Sequence, residues 1–290
     1  MNPALVGAGL AVLFTGMIAA ADGITKLVSG SYEAPQLYAM SAALVVLMSA
    51  GAARASKGES LRIKSVRPMA LRSVLTVVAA VAFFQAFRLL PFADVFLFIG
   101  LIPLIAASLS GPMLGEAPRP LAWLALSLGA GGVLFLLPGG ISGAQAGHAW
   151  ALLAALSGAT SMLLARVIAK VERAPLAQVF WPNLGLALTM AVALPFVWKP
   201  MGLMDGVWVV AYAFFLFGAR YVSAEAMRLL PAYVAMPVMN VQFVWMVAIG
   251  IFAFGELPSL GTVLGVMLVI ASGLWLVAEE TLSKGAAQRA

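Results

Sequence analysis

The sequence predicts an all-α integral membrane protein with ten transmembrane helices in two inverted five-helix repeats, and three observations carry that prediction. The first is composition: 63% of the 290 residues are hydrophobic and 10% are charged, whereas roughly a quarter of a soluble domain's residues are charged. So few charges cannot cover a water-exposed surface of this size, so the apolar residues must meet lipid. The second is an internal repeat. Arg88-Leu89-Leu90-Pro91 recurs as Arg228-Leu229-Leu230-Pro231, and Gly115-Glu116 with Pro118 recurs as Gly255-Glu256 with Pro258, both at an offset of 140 residues. Leu128, Leu134 and Leu136 continue the match at Leu268, Leu274 and Leu276. The third is the placement of basic residues, treated below.

The apolar runs are continuous and about 20 residues long, as a spanning helix requires, without the alternation of a barrel strand. Ten spans follow: 5–28, 35–53, 69–88, 93–113, 120–137, 147–169, 175–198, 206–228, 233–254 and 259–278. Proline and glycine mark most boundaries. Gly30 and Pro35 separate spans one and two, Pro91 spans three and four, and Pro118 with Pro120 spans four and five. Pro138-Gly139-Gly140 divides the halves, placing one repeat at 1–140 and the other at 141–290. Pro175, Pro200, Pro231 and Pro258 then separate the spans of the second half.

Orientation follows from lysine and arginine. Arg54, Lys57, Arg62, Lys64, Arg67 and Arg72 lie between spans two and three, and Arg119, Arg166, Lys170, Arg173, Arg228, Lys284 and Arg289 fall on the same side. Only Lys26, Arg88 and Lys199 fall on the other, so thirteen face three and both termini are expected in the cytoplasm. Five spans per repeat then place the halves upside-down relative to each other, as in many secondary transporters. The net charge of +6 is explained by this asymmetry and does not point to a nucleic-acid partner.

Catalysis has no obvious residues. There is no cysteine and one histidine, His148, which disfavours a metal site. No P-loop, HExxH or Ser–His arrangement appears, so ATP hydrolysis and intramembrane hydrolysis are not expected, nor is any cofactor. A channel would need a continuous polar lining, which the spans lack. A small-molecule carrier is the reading left, with lipid as its surroundings. Gly261-x-x-x-Gly265 and Ser127-x-x-x-Gly131 suit close helix packing, in a monomer or a weak homodimer.

The chain resembles the EamA-type family of the drug/metabolite transporter superfamily over nearly its whole length. The residues that carry the resemblance are the two Arg-Leu-Leu-Pro turns, Phe92-Ala93-Asp94, Leu114-Gly115-Glu116, Gln242-Phe243-Val244-Trp245, Phe254-Gly255-Glu256-Leu257-Pro258 and Ile270-Ala271-Ser272-Gly273-Leu274. It implies a multi-pass protein of the bacterial inner membrane with a central cavity walled by spans three, four, eight and nine. It also implies a carrier of amino acids, metabolites or drugs. Within that family the chain looks most like the YddG-type branch, exporters of aromatic and other neutral amino acids. Similar carriers handle riboflavin, S-adenosylmethionine and nucleotide-like metabolites.

Polar and aromatic residues within the spans are the candidates for the site. A charge in the hydrocarbon core costs about 2.5–3.5 kcal/mol on insertion scales, so Arg220 should face a cavity or a partner, where it could hold a carboxylate or phosphate. Phe84, Gln85, Phe96, Trp181, Met236, Asn240 and Trp245 are the other expected wall residues, suited to an apolar or aromatic side chain. Asn240 and Gln242 point to opposite faces of their helix, so one of them at most should face the cavity directly. Glu225 is expected to pair with Arg228 one turn on, and Asp22 with Lys26 at a helix end. Gly100, Pro103, Gly218 and Pro237 are expected hinges, because proline and glycine weaken the helical ladder.

Overall fold

In a computed structural model, described here for residues 3–56, 60–90, 95, 98–115, 123–124, 127, 146–239, 241–255, 264, 267, 271 and 275, every regular element among the described residues is a helix. They are α1 (Pro3–Ser29), α2 (Ala34–Ala55), α3 (Val66–Leu89), α4 (Ile102–Leu114), α5 (Ala146–Val171), α6 (Pro175–Val197), α7 (Leu203–Leu229), α8 (Ala232–Met239) and α9 (Gln242–Phe254). Six of them, α1–α3 and α5–α7, are long and apolar enough to cross a membrane. The fold is that of an all-α membrane protein. The expected spans at 120–137 and 259–278, the boundary at 140, and the motif residues Asp94, Glu116 and Glu256 lie mostly or wholly outside the described residues.

Local chemistry sets the helix ends. Pro35 and Pro175 stand in the first turns of α2 and α6, where the missing N–H costs nothing and φ is already helical. Both α3 and α7 stop just before a proline, with Leu90 and Leu230 extended at φ −121° and −119°, because a following proline disfavours the α region. Gly115 and Gly255 end α4 and α9 at φ 66° and 67°, a left-handed conformation that glycine adopts without penalty. Each of these pairs is separated by the repeat offset.

The expected fourth and ninth spans are interrupted at matching points. The Leu101 N–H reaches back to Phe98 O at 3.2 Å, and the Val241 N–H to Val238 O at 3.1 Å. Both are three-residue steps that tighten the helix locally. In the first half, Pro103 follows the break in the opening turn of α4 and Gly100 precedes it. In the second, Pro237 lies in α8, two turns or less before the break.

The three most extensive interhelical contacts are α1 with α7, α2 with α6, and α3 with α5. All run antiparallel. Tyr32 Oη donates to Asp205 Oδ2 at 2.7 Å, beyond the end of α1 and at the start of α7. Lys64 N donates to Glu172 Oε2 at 2.9 Å, before α3 begins and after α5 ends. Each long helix of the first half therefore packs antiparallel on a long helix of the second.

The close approaches repeat as well. A Cβ on Gly7 of α1 would lie 2.7 Å from Leu230 Cγ, and one on Gly147 of α5 would lie 2.6 Å from Leu90 Cγ. Fully buried alanines follow on the same helices, Ala11 and Ala19 on α1 and Ala151 and Ala159 on α5. Small residues let backbones approach, which is how helices gain dispersion contacts where lipid supplies no hydrophobic drive.

The two ends of the bundle differ in charge. One end gathers Arg54, Arg62, Lys64, Arg67, Arg166, Lys170, Arg173 and Arg228, and the opposite end has Lys26, Arg88 and Lys199. Arg72 does not join the basic end, where the sequence would place it. It is only 5% exposed and turns inward.

At the basic end, Glu172 holds the stretch before α3 by accepting from the backbone of Lys64 and Ser65. Partial burial pushes this carboxyl up. The two backbone donors, with help from the Ser65 side chain and the Lys64 charge, more than offset that, so it sits below its ordinary value of 4.5.

Candidate functional site

Between the halves lies a cavity of about 200 Å³, lined by residues of α1, α2, α3, α5 and α7 and by both helix breaks. Its apolar wall includes Phe14, Ile18, Phe83, Ile99, Ile102 and Leu216. Into this wall project Asp22, Tyr38, Arg72, Thr76, Ser161, Tyr212, Arg220, Ser223 and Gln242. Charged side chains within an apolar bundle are costly to bury.

The polar groups are arranged in order along the cavity. Asp22 Oδ2 accepts from Gln242 Nε2 at 2.8 Å, which ties α1 to the helix break at α9. Tyr38 and Tyr212 also line the cavity, their ring centroids 5.9 Å apart. Arg220 lies about two turns beyond Tyr212 on α7, and Arg72 in the early part of α3, both toward the basic end. Arg72 Nη1 donates to Ser161 O at 3.0 Å, and Thr76 Oγ1 and Ser161 Oγ are 2.9 Å apart. The cavity thus has its one carboxyl toward one end of the bundle and its two guanidinium groups toward the basic end.

The arginines are under-satisfied. The Nε atoms of Arg72 and Arg220 are buried without a hydrogen-bond partner. Leaving a buried polar donor unpaired costs about 1–3 kcal/mol, and more when it is charged.

Of the expected wall residues, Arg220 lines the cavity. The others stand elsewhere or beyond description. Phe84 is fully buried in the core, edge-on to Tyr38 at 5.8 Å, while its neighbour Phe83 faces the cavity. One residue turns a helix by 100°, and a short aromatic run does not reveal its phase. Gln85 is partly buried on α3 and outside the lining. Trp181 is 37% exposed and donates Nε1 to Leu61 O at the basic end, so it braces a loop. Trp245, 45% exposed, donates Nε1 to Thr15 Oγ1 at 3.1 Å and joins α9 to α1.

Met236 sits in α8, and Phe96 and Asn240 lie outside the described residues. Gln242, the other member of the Asn240 pair, does face the cavity. Gly218 lies midway along α7, against Met17 of α1.

Four cavity residues are not marked by the sequence: Asp22, Arg72, Tyr38 and Tyr212. Asp22 stands one turn from Lys26, but its side chain turns to Gln242, and Lys26 Nζ lies 5.0 Å over the Phe254 ring. Arg72 follows a basic cluster in sequence. Tyr38 and Tyr212 carried no signal of their own, although the repeat offset aligns Tyr212 with Arg72. The expected Glu225–Arg228 pair forms at 2.9 Å, and Arg173 joins it at 3.2 Å.

No family model and no curated protein matches the chain. Among solved structures, one crystal structure superposes with a TM-score of 0.71 over 95% of this chain and 96% of its own, at 21% identity. At that identity the likeness shows the fold alone, and it extends over almost the whole length of both proteins.

Proposed function

We propose that the chain is a secondary active transporter of the EamA type, carrying a small carboxylate-bearing metabolite, in the first place an amino acid, by alternating access. One observation carries this reading: a charged cavity lies between the two halves, whose long helices pack in antiparallel pairs, in an otherwise apolar bundle. Inverted repeats around a mid-membrane site let one half rock against the other. In this reading ten helices cross the bacterial inner membrane, the basic end faces the cytoplasm together with both termini, and substrate leaves the cell.

The interrupted helices at Leu101 and Val241 supply places where the backbone can bend, since each already departs from the regular ladder. An amino acid suits the order of groups along the cavity. Its carboxylate meets Arg220, its ammonium meets Asp22, and Phe14, Phe83 and the tyrosines offer aromatic faces to a large side chain, as the expected export of neutral aromatic amino acids requires.

Counterflow of radiolabelled amino acids in proteoliposomes tests the proposal. Preloaded unlabelled substrate should accelerate label entry, and Arg220→Gln should abolish the acceleration. Absence of any solute exchange by verified, folded protein would overturn it. Topology is tested separately: cysteines at Ser56 and Ser142 should react from the cytoplasm and from outside respectively, on a background with no native cysteine.

A further inference from the structure

We infer that the substrate of this cavity carries two negative charges together with a hydrogen-bond-donating, amine-like group. The inference rests on the transporter reading for its setting, and on the charges of the cavity wall for its content.

Two guanidinium groups and one carboxyl line the cavity. The carboxyl, already accepting from Gln242, lies in the later part of α1, toward the Lys26 end of the bundle, whereas Arg72 in the early part of α3 and Arg220 in the later part of α7 lie toward the basic end. Asp22 therefore does not neutralise the basic end. Hydrogen bonding leaves the same surplus: Arg72 spends Nη1 on the carbonyl of Ser161, and both Nε atoms are buried and unpartnered. A guanidinium offers five donors in a planar fork that matches carboxylate or phosphate oxygens two at a time. Two guanidinium charges facing one cavity repel each other, and an anion between them relieves the repulsion. A single carboxylate can accept from both but leaves one positive charge unneutralised.

Two negative charges remove that surplus. The shared chemistry is either a pair of carboxylates or one phosphate monoester, and Thr76 and Ser161 stand beside Arg72 as additional hydroxyl partners. At the opposite end, the Asp22 carboxyl retains acceptor capacity toward a substrate N–H. A neutral aromatic amino acid, the expectation from resemblance, fits the aromatic faces but supplies only one of the two anionic charges. Arg72 is thus a specificity-determining residue, and Arg220 alone is the part of this site that was legible in the sequence.

The test is binding to the purified full-length protein, read as thermal stabilisation and titration calorimetry. The panel is glutamate, O-phosphoserine, succinate and phenylalanine at equal concentrations. Glutamate or O-phosphoserine should bind most tightly and show which anion is preferred. Succinate, lacking the amine, should bind more weakly, and phenylalanine at least tenfold more weakly than the best ligand. Arg72→Gln should lower affinity for the dianion at least tenfold while leaving phenylalanine binding within about twofold.

Should Arg72→Gln fail to fold, the wild-type panel decides by itself, and Arg72→Lys, which keeps the charge, gives the mutational arm. The inference is overturned if phenylalanine binds as tightly as the dianions, or if neither glutamate nor O-phosphoserine binds. Failure of the transporter reading looks different: dianions bind with the stated dependence on Arg72, yet none moves across proteoliposomes. Counterflow of phenylalanine without dianion binding sustains transport and removes the charge inference.

Discussion

The two halves of the molecule agree where they pack and differ where they face the cavity. Gly7 and Gly147, Leu90 and Leu230, Ala11 and Ala151, and Gly115 and Gly255 are identical pairs at the 140-residue offset, and each pair does the same structural work. In the cavity the pairing fails at every charged position. Asp22 matches Met162, Arg72 matches Tyr212, and Arg220 matches Ala80. Close packing tolerates few alternatives in volume, so equivalent interfaces converge on the same small residues. A site for an asymmetric solute needs opposite chemistry at its two ends, which identical halves cannot supply.

The ion pairs beneath the Arg-Leu-Leu-Pro turns show the same contrast on a smaller scale. In the first half, Glu33 pairs directly with Arg88 at 2.5 Å. The offset puts Arg173 in place of Glu33 and Arg228 in place of Arg88, so two like charges meet. Glu225, which takes the place of Gln85, sits between them and accepts from both.

Several measurements would break or sharpen this comparison. The largest effect is expected at the cavity, where the halves diverge. Arg220→Gln removes a buried charge that substrate would pair with, a loss on the order of 2–5 kcal/mol for such a truncation. Transport should fall at least tenfold, whereas Ala80→Ser at the matching position should leave it within about threefold. Equal losses at both positions would mean the cavity reads its two faces alike.

Next come the matched glycines. Gly7→Ala and Gly147→Ala each force a Cβ against a leucine, and overpacking of this kind costs about 1–3 kcal/mol. Both should lower the melting temperature by similar amounts. Gly9→Ala, with nothing within 4 Å of the new Cβ, should be neutral or slightly stabilising. Unequal losses at residues 7 and 147 would show that the interfaces are not mechanically equivalent.

Smaller still is the ion-pair contrast. Exposed pairs contribute roughly 0–1 kcal/mol. Glu225→Gln, which leaves two arginines facing each other, should destabilise more than Glu33→Gln, and the difference should shrink in high salt. The least effect is expected at Glu172. Because its folded-state pKa lies below the ordinary 4.5, its contribution is present above that value and is lost as pH falls through the folded pKa. Glu172→Gln should therefore narrow the gap from wild type in melting temperature as pH drops below about 4.5.

The sequence by itself determined the elements that depend on local chemistry and on composition. Helices, their membrane-like length, the proline and glycine ends and the repeat were all readable, because hydrophobic runs and backbone restrictions act within one segment. The Glu225–Arg228 pair was readable for the same reason, its partners being one helical turn apart. Arg220 was visible as an anomaly, a charge in the middle of an apolar run. Only the tertiary structure decided which way side chains turn. Arg72 read as a member of a surface cluster because its neighbours in sequence are basic. It is buried because the antiparallel packing of α3 on α5 brings Ser161 O within 3.0 Å of its guanidinium. Asp22 read as a helix-end residue because Lys26 is four positions away, and it faces the cavity because the break before α9 delivers Gln242 to it. In a helix that is apolar all round, periodicity does not mark the cavity face, so contacts between distant segments had to assign it.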